Sequence, residues 1–231
     1  MAHVVPGSRV RVITDTASDL TSEQAEGLGI DLVPIPLTGS PDRPELGIPS
    51  VVAYREAFRA AIDRGAEGVL CVTPSSRLSP GYETALLAAE AEGGPVKVLD
   101  SGSLGPGQAV RAVSASLHAA TGRSLDDLVA VCLEERPLVR AVLGRATRWL
   151  APTGVRPVID LSSGEIRFRG LAFGPARSPI SHPGPVSVFF HVGPPPAGWR
   201  PPSDGPIVEL GPVLASLLGP GTVGVATIVE A

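Results

Sequence analysis

Gly68-Val-Leu-Cys-Val-Thr73 is an apolar run, Pro74-Ser-Ser-Arg-Leu-Ser-Pro-Gly81 a hydroxyl-rich loop, and Tyr82-Glu-Thr-Ala-Leu-Leu-Ala-Ala-Glu-Ala-Glu92 a helical stretch that stops at Gly93-Gly94. A buried strand followed by a loop and a helix is half of a βαβ unit, and parallel strands need such crossovers. The same alternation extends in both directions. Upstream, Arg9–Ile13 reads as a strand, Thr21 with Gln24 as a capping box, Ile30–Leu37 as a second strand, and Ser50 as the cap of a helix ended by Gly65. Downstream, Pro95–Leu99 reads as a strand, Gln108–Ala120 as a helix, and Ser124 opens another that runs to about Arg136. The fold class expected is therefore α/β, a parallel sheet with helices on both faces.

Beyond residue 151 the pattern changes. Strands are expected at Arg156–Asp160 and Glu165–Arg169, joined by a hairpin through Ser162-Ser163-Gly164, and at Val186–Val192, Ile207–Leu210 and Val223–Val229. Val213–Leu218 is the one helix candidate. Proline is concentrated here, and residues 193–206 (GPPPAGWRPPSDGP) read as a surface loop or strap, because proline neither donates to a ladder nor continues a helix. Two domains are expected: 1–151, and a smaller, strand-rich 152–231 lacking most face-covering helices. A half-covered sheet exposes apolar area, which signals association, so a homodimer through the second domain is expected.

Composition narrows the function. The 231 residues are 43% apolar and 18% charged with net charge −4, which argues against disorder and against a basic surface for nucleic acid. Residues 210–229 carry no charge, but six of those twenty are Gly or Pro, too many for a membrane span. The start has no long apolar segment of signal-peptide type, and Cys71 and Cys132 stand far apart in apolar runs, so a reducing cytoplasm is expected. Gly219-Pro-Gly221-Thr-Val-Gly224 matches a dinucleotide fingerprint by letter only, since no helix follows it. His3, His118, His182 and His191 fall in no catalytic or metal-binding spacing, and Asp15 and Asp19 bracket the first loop without a partner motif. No catalytic residue, metal or cofactor is expected.

One loop carries a functional signal. Ser79 stands where an N-cap belongs and Pro80 at the first helical position, with Ser75 and Ser76 adding hydroxyls. Helix N-termini at the carboxyl edge of a parallel sheet accept anions. The expectation is a carboxylate or phosphate site, weighed against simple capping by Ser79.

Taken together, Ile13–Leu20 (ITDTASDL), residues 70–90 (LCVTPSSRLSPGYETALLAAE), Val98–Ser103 (VLDSGS), SLDDLVAVCLEE and Glu209–Ala226 resemble the DegV family of fatty-acid-binding proteins. The resemblance implies a two-domain α/β fold with a long-chain fatty acid, or a similar apolar ligand, in a tunnel between the domains. It also implies a separate fatty-acid kinase as partner, no catalytic residue in the carrier, and Ser76, Ser79 and Gly81 as ligand-binding positions. The chain departs from the family pattern at Gly81, where a threonine is usual, at Leu46-Gly47-Ile48-Pro49-Ser50, and at Leu217, where a histidine is usual. A second reading follows: a degenerate member that has lost its ligand and works as a protein-interaction module.

Overall fold

The computed structural model describes residues 8–40, 43–144, 155–162, 165–173, 179–180 and 183–230. Along the chain the elements are β1 (Val10–Asp15), α1 (Ser22–Gly27), β2 (Ile30–Val33), β3 (Leu37–Ser40), β4 (Arg43–Leu46), α2 (Val51–Asp63), β5 (Gly68–Thr73), α3 (Gly81–Glu92), β6 (Val96–Asp100), α4 (Pro106–Ala119), α5 (Leu125–Glu134), β7 (Glu135–Val142), β8 (Val155–Asp160), β9 (Arg167–Phe173), β10 (Ser187–His191), β11 (Ile207–Glu209), α6 (Pro212–Leu218) and β12 (Val223–Glu230).

The first sheet is four-stranded and parallel, in the order β2-β1-β5-β6. Alternation along its strands fills two cores. Ile13, Val69 and Cys71 point to Tyr54 and Phe58 of α2 and to Ala85 and Ala88 of α3. Val10, Val12, Leu70 and Val72 point to the opposite side, to α4 and to Leu128 of α5. This is the expected parallel sheet with helices on both faces. Capping places the helix starts: Thr21 and Gln24 form a reciprocal box, and the Ser50 and Ser124 hydroxyls accept from the third residue onward.

The second sheet is six-stranded, in the order β11-β10-β12-β7-β8-β9, and mostly antiparallel. It takes β7, which starts inside the helix expected to run from Ser124 to about Arg136 and continues through residues for which the sequence suggests no element. The helix stops at Glu134, and β7 pairs along its whole length with β12. Pro137 is tolerated because β8 pairs only with residues 140–142, leaving one side of the strand free at the proline. The strand expected over Ile30–Leu37 is also shorter, ending at Val33; Pro34 and Pro36 break it, and Leu37–Ser40 forms a separate two-stranded ladder with Arg43–Leu46. The border expected at 151/152, the hairpin tip at 163–164 and His182 lie outside the described residues.

Between the two sheets runs α4. Twelve of its fourteen residues are buried. The core it shares includes Val12 and Val72 on one side and Val139, Ala141, Ile159, Val188, Phe190 and Ala226 on the other. Small residues make this possible: Gly107, Ala109, Ala112, Ser114 and Ala115 allow sheet backbones to approach from both directions. A Cβ on Gly107 would lie 2.0 Å from Ser103 Oγ and 2.9 Å from Val139 Cγ2. Polar side chains of α4 fasten the crossing. Arg111 donates to the Cys132 (2.8 Å) and Glu135 (2.9 Å) carbonyls, satisfying orphan carbonyls where α5 ends. Ser114 and His118 both bond the Glu135 carboxylate at 2.8 Å.

The outer face of the second sheet carries the proline-rich strap instead of helices. Trp199 packs on Val142, Val158, Ala172 and Val223, with its ring edge-on to His191 at 6.3 Å. On the inner face, Phe190 lies across Gly224, its register partner. A Cβ there would meet Phe190 Cζ at 2.1 Å and the Arg140 carbonyl at 2.5 Å. Gly224→Ala is therefore expected to destabilise the protein by about 2–3 kcal/mol through overpacking, read as a lowered midpoint in denaturant unfolding.

Candidate functional site

The loop 74–80 follows β5 at the carboxyl edge of the parallel sheet, as expected. Its helix start differs by one residue from the sequence reading. α3 begins at Gly81 with Pro80 at the cap position, because the loop first closes a turn in which Leu78 and Ser79 both donate to the Ser75 carbonyl at 2.9 Å. Ser79 still serves the helix end: its Oγ accepts the Gly81 N–H at 3.1 Å.

The hydroxyls divide unequally. Ser75 is buried and accepts the Arg77 N–H. Ser76 donates its hydroxyl to Asp100 Oδ2 at 2.6 Å and its N–H to the same oxygen at 3.2 Å, so its donor is spent within the protein. Ser79 is half-buried, and among the described residues only its acceptor side is engaged, which leaves its O–H available as a donor. Gly81 is buried; a Cβ would meet Ser79 Oγ at 3.3 Å and Tyr54 Oη at 3.6 Å. Of the three residues expected to touch ligand, the structure brings Ser79 and Gly81 together, while Ser76 turns to Asp100.

Beside this loop stands the β8–β9 hairpin. Arg77 and Glu165 form an ion pair at 3.7 Å across the gap. Opposed residues in an antiparallel pair share a face. Phe168 faces Ile159, Leu171 faces Pro157 and Phe173 faces Val155, all on the side that α4 covers farther along the sheet. α4 does not reach β9, and Phe168, Leu171 and Phe173 are 66%, 50% and 75% exposed. Ile166 and Leu78 add exposed apolar surface where the hairpin meets the loop. From Phe168 to Phe173 the strip spans about 16 Å at the rise of an extended strand. The strand expected at Glu165–Arg169 overlaps β9 only over residues 167–169, so Leu171 and Phe173 lie beyond it, and the exposure of the strip depends on packing that the sequence does not show. Arg77 and Glu165 carried no sequence signal beyond their charge.

Two aspartates are buried at the first loop of the same sheet. Asp15 is fully buried, accepting from Tyr54 Oη (2.9 Å), Gln108 Nε2 (2.8 Å) and the Ala17 N–H (3.1 Å); burial nevertheless pushes its pKa up to about 6. Asp19 sits in the left-handed region at φ 62° and accepts the Gly211 N–H at 3.0 Å, which ties the first loop to the start of α6. Its other oxygen is buried without a hydrogen-bond partner among the described residues, and burial pushes its pKa up to about 7. Asp19 also borders a cavity of about 180 Å³ lined by Ile35, Leu37, Leu104, Val213 and Leu214. Leu217, on the same short helix, is 65% exposed.

The remaining reactive groups are muted. Burial raises the Cys71 thiol well above its usual range and pushes Cys132 up to about 12. Ser114 and His118 bond to Glu135 and not to each other. Among the described residues no cluster of three His, Cys, Asp or Glu could hold a metal ion, and no helix is long and apolar enough to cross a membrane.

Asp19 gives the site a pH signature. Its folded-state pKa lies above the unfolded value of 3.8, so the fold favours the neutral acid. The stability it contributes is complete below about pH 3.8 and is lost as pH rises through about 7. Asparagine keeps an acceptor for Gly211 and tolerates the left-handed backbone. Asp19→Asn is expected to match wild type in thermal unfolding near pH 4 and to exceed it by on the order of 2–4 kcal/mol at pH 8.

Residues 42–143 match the model of the DegV family, described as "Uncharacterised protein, DegV family". A comparison with curated proteins finds no match. Among solved structures, a DegV family protein from Thermus thermophilus described for fatty acid binding superposes with a TM-score of 0.71 at 22% identity, covering 96% of this chain and 100% of its own. A stearic acid-binding protein from Eubacterium ventriosum gives 0.68 at 16% identity over 96% and 98%. DegV, a fatty acid binding protein from Bacillus subtilis, gives 0.66 at 14% identity over 94% and 98%. The chain thus has the DegV fold, with the DegV sequence pattern over residues 42–143.

Proposed function

We propose that the protein is a carrier that holds a long-chain fatty acid, or a ligand of similar apolar character, with its tail along the inner face of β8–β9 and its acidic head at the loop 74–80. The observation that carries this reading is the uncovered strip Phe168–Leu171–Phe173, which ends beside that loop. Its apolar side chains offer burial to an acyl chain, which gains about 0.8 kcal/mol per CH₂ removed from water. A charge-assisted hydrogen bond adds about 1.5–3 kcal/mol, so the tail supplies most of the affinity and one free hydroxyl at Ser79 can orient the head. The likeness in fold to structures described for fatty acid binding supports the same reading. The bound acid is presented to a separate fatty-acid kinase, for which the exposed loop at Arg77 and Leu78 is the accessible face; the carrier itself turns nothing over.

Native mass spectrometry of delipidated protein mixed with long-chain fatty acids tests the reading directly, with a one-to-one complex expected. Leu171→Asp, at an exposed position, is expected to weaken binding at least about tenfold by placing a charge against the tail. Ser79→Ala is expected to cost about 1–3 kcal/mol of binding. Ser50→Ala, which removes the α2 cap, is expected to cost about 1 kcal/mol of stability with binding unchanged. Equal binding losses in the two serine variants would reject the placement of the head at Ser79.

A further inference from the structure

We infer that Arg77 is the cation that receives the ligand's acidic head, and that Glu165 occupies Arg77 only until a carboxylate displaces it. This assignment rests on the fatty-acid reading above and adds to it the residue that selects for an acid.

The geometry around the pair is asymmetric. Arg77 is 73% exposed, and the only ion pair or hydrogen bond of its guanidinium among the described residues is Glu165, at 3.7 Å. That distance is too long for a hydrogen bond, so the planar fork that arginine offers to a carboxylate is unused. Glu165 is differently placed. Arg167 donates to it at 2.9 Å through one nitrogen and at 3.3 Å through another. Arg167 is also the main reason its carboxyl titrates below the usual range, with Arg77 contributing less. Exchanging Glu165 for a ligand carboxylate thus leaves Glu165 compensated and gives Arg77 a bidentate partner.

Local charge makes a cation necessary. Asp100, which holds Ser76, and Glu165 touch the loop, and Glu83 stands in the first turn of the helix that follows it. A ligand carboxylate arriving between them meets like charge, and the hydroxyl of Ser79 alone does not neutralise it. Arg77 lies two residues from Ser79 and at the hairpin end of the strip, where Ile166 and Phe168 begin. A chain lying from Phe168 toward Phe173 brings its head to the guanidinium. Among the described residues Arg77–Glu165 is the ion pair that joins this loop to the hairpin, and an exposed pair of this length costs little to exchange.

The test compares tetradecanoic acid with tetradecanol on delipidated full-length protein by calorimetric titration. Wild type is expected to bind the acid more tightly than the alcohol, with acid affinity falling as salt rises. Arg77→Gln is expected to lose on the order of tenfold or more for the acid, to stay within about twofold for the alcohol, and to lose the salt dependence. Glu165→Gln is expected to bind the acid at least as tightly as wild type, because the competitor is gone. An Arg77→Gln protein that binds the acid unchanged, or loses acid and alcohol equally, overturns the assignment of Arg77 while leaving the fatty-acid reading intact. Wild-type protein that binds neither compound overturns both.

Discussion

The packing of α4 against two sheets at once is the constraint on which the rest depends. A helix on a single sheet needs one apolar stripe; α4 is buried around nearly its whole circumference, which a helix of ordinary bulky residues could not achieve at sheet-to-sheet spacing. The sequence PGQAVRAVSASLHA answers with Gly, Ala and Ser on the close contacts and Val110 and Val113 where there is room. The polar residues it retains are tied to fixed partners: Gln108 to Thr14 and Asp15, Arg111 to the end of α5, Ser114 and His118 to Glu135. These bonds fix where the chain leaves the first sheet and enters the second, and so fix the angle at which the second sheet stands over the loops of the first.

The candidate site is a by-product of that geometry. The second sheet is wider than the helix beneath it, so β9 overhangs, and its inward side chains Phe168, Leu171 and Phe173 are left largely exposed. The overhang is apolar along one edge and ends at a loop that combines one available hydroxyl with one loosely held guanidinium. In the proposed carrier, affinity from the strip and orientation from the loop would come from separate parts of the molecule, so glycine at 81 or leucine at 217 would leave the larger energetic contribution in place.

Much of the fold was legible because alternation, caps and glycines act locally. Thr21 with Gln24, Ser50 and Ser124 start helices where their spacing requires. The failures share a cause: the deciding interaction was remote. Glu135–Val142 has no local strand signal strong enough to outweigh the preceding helix, and becomes a strand because Val223–Glu230 pairs with it. Pro80 displaced the helix start by one residue because the turn closing on Ser75 used Ser79 first. At the site, the hydroxyl-rich loop was visible from its composition, but not which serine remained free. Only the position of Asp100 decides that Ser76 is engaged.

The position of β12 has a consequence for how the chain comes to be made. The strand nearest the carboxyl end is inserted between β10 and β7, and its pairing joins Glu135 to Glu230. The first sheet is complete once residue 100 has emerged, its longest pairing joining Val10 to Gly68. The second cannot close until residues 223–230 have emerged, and long-range strand pairing is slow once it begins. During that interval α4 has only one of its two partners, and the edges of β7 and β8 stand open beside the apolar residues of β9. The newborn protein thus passes through a half-built state exposing sheet edges and apolar surface, which is open to non-native pairing until β12 arrives.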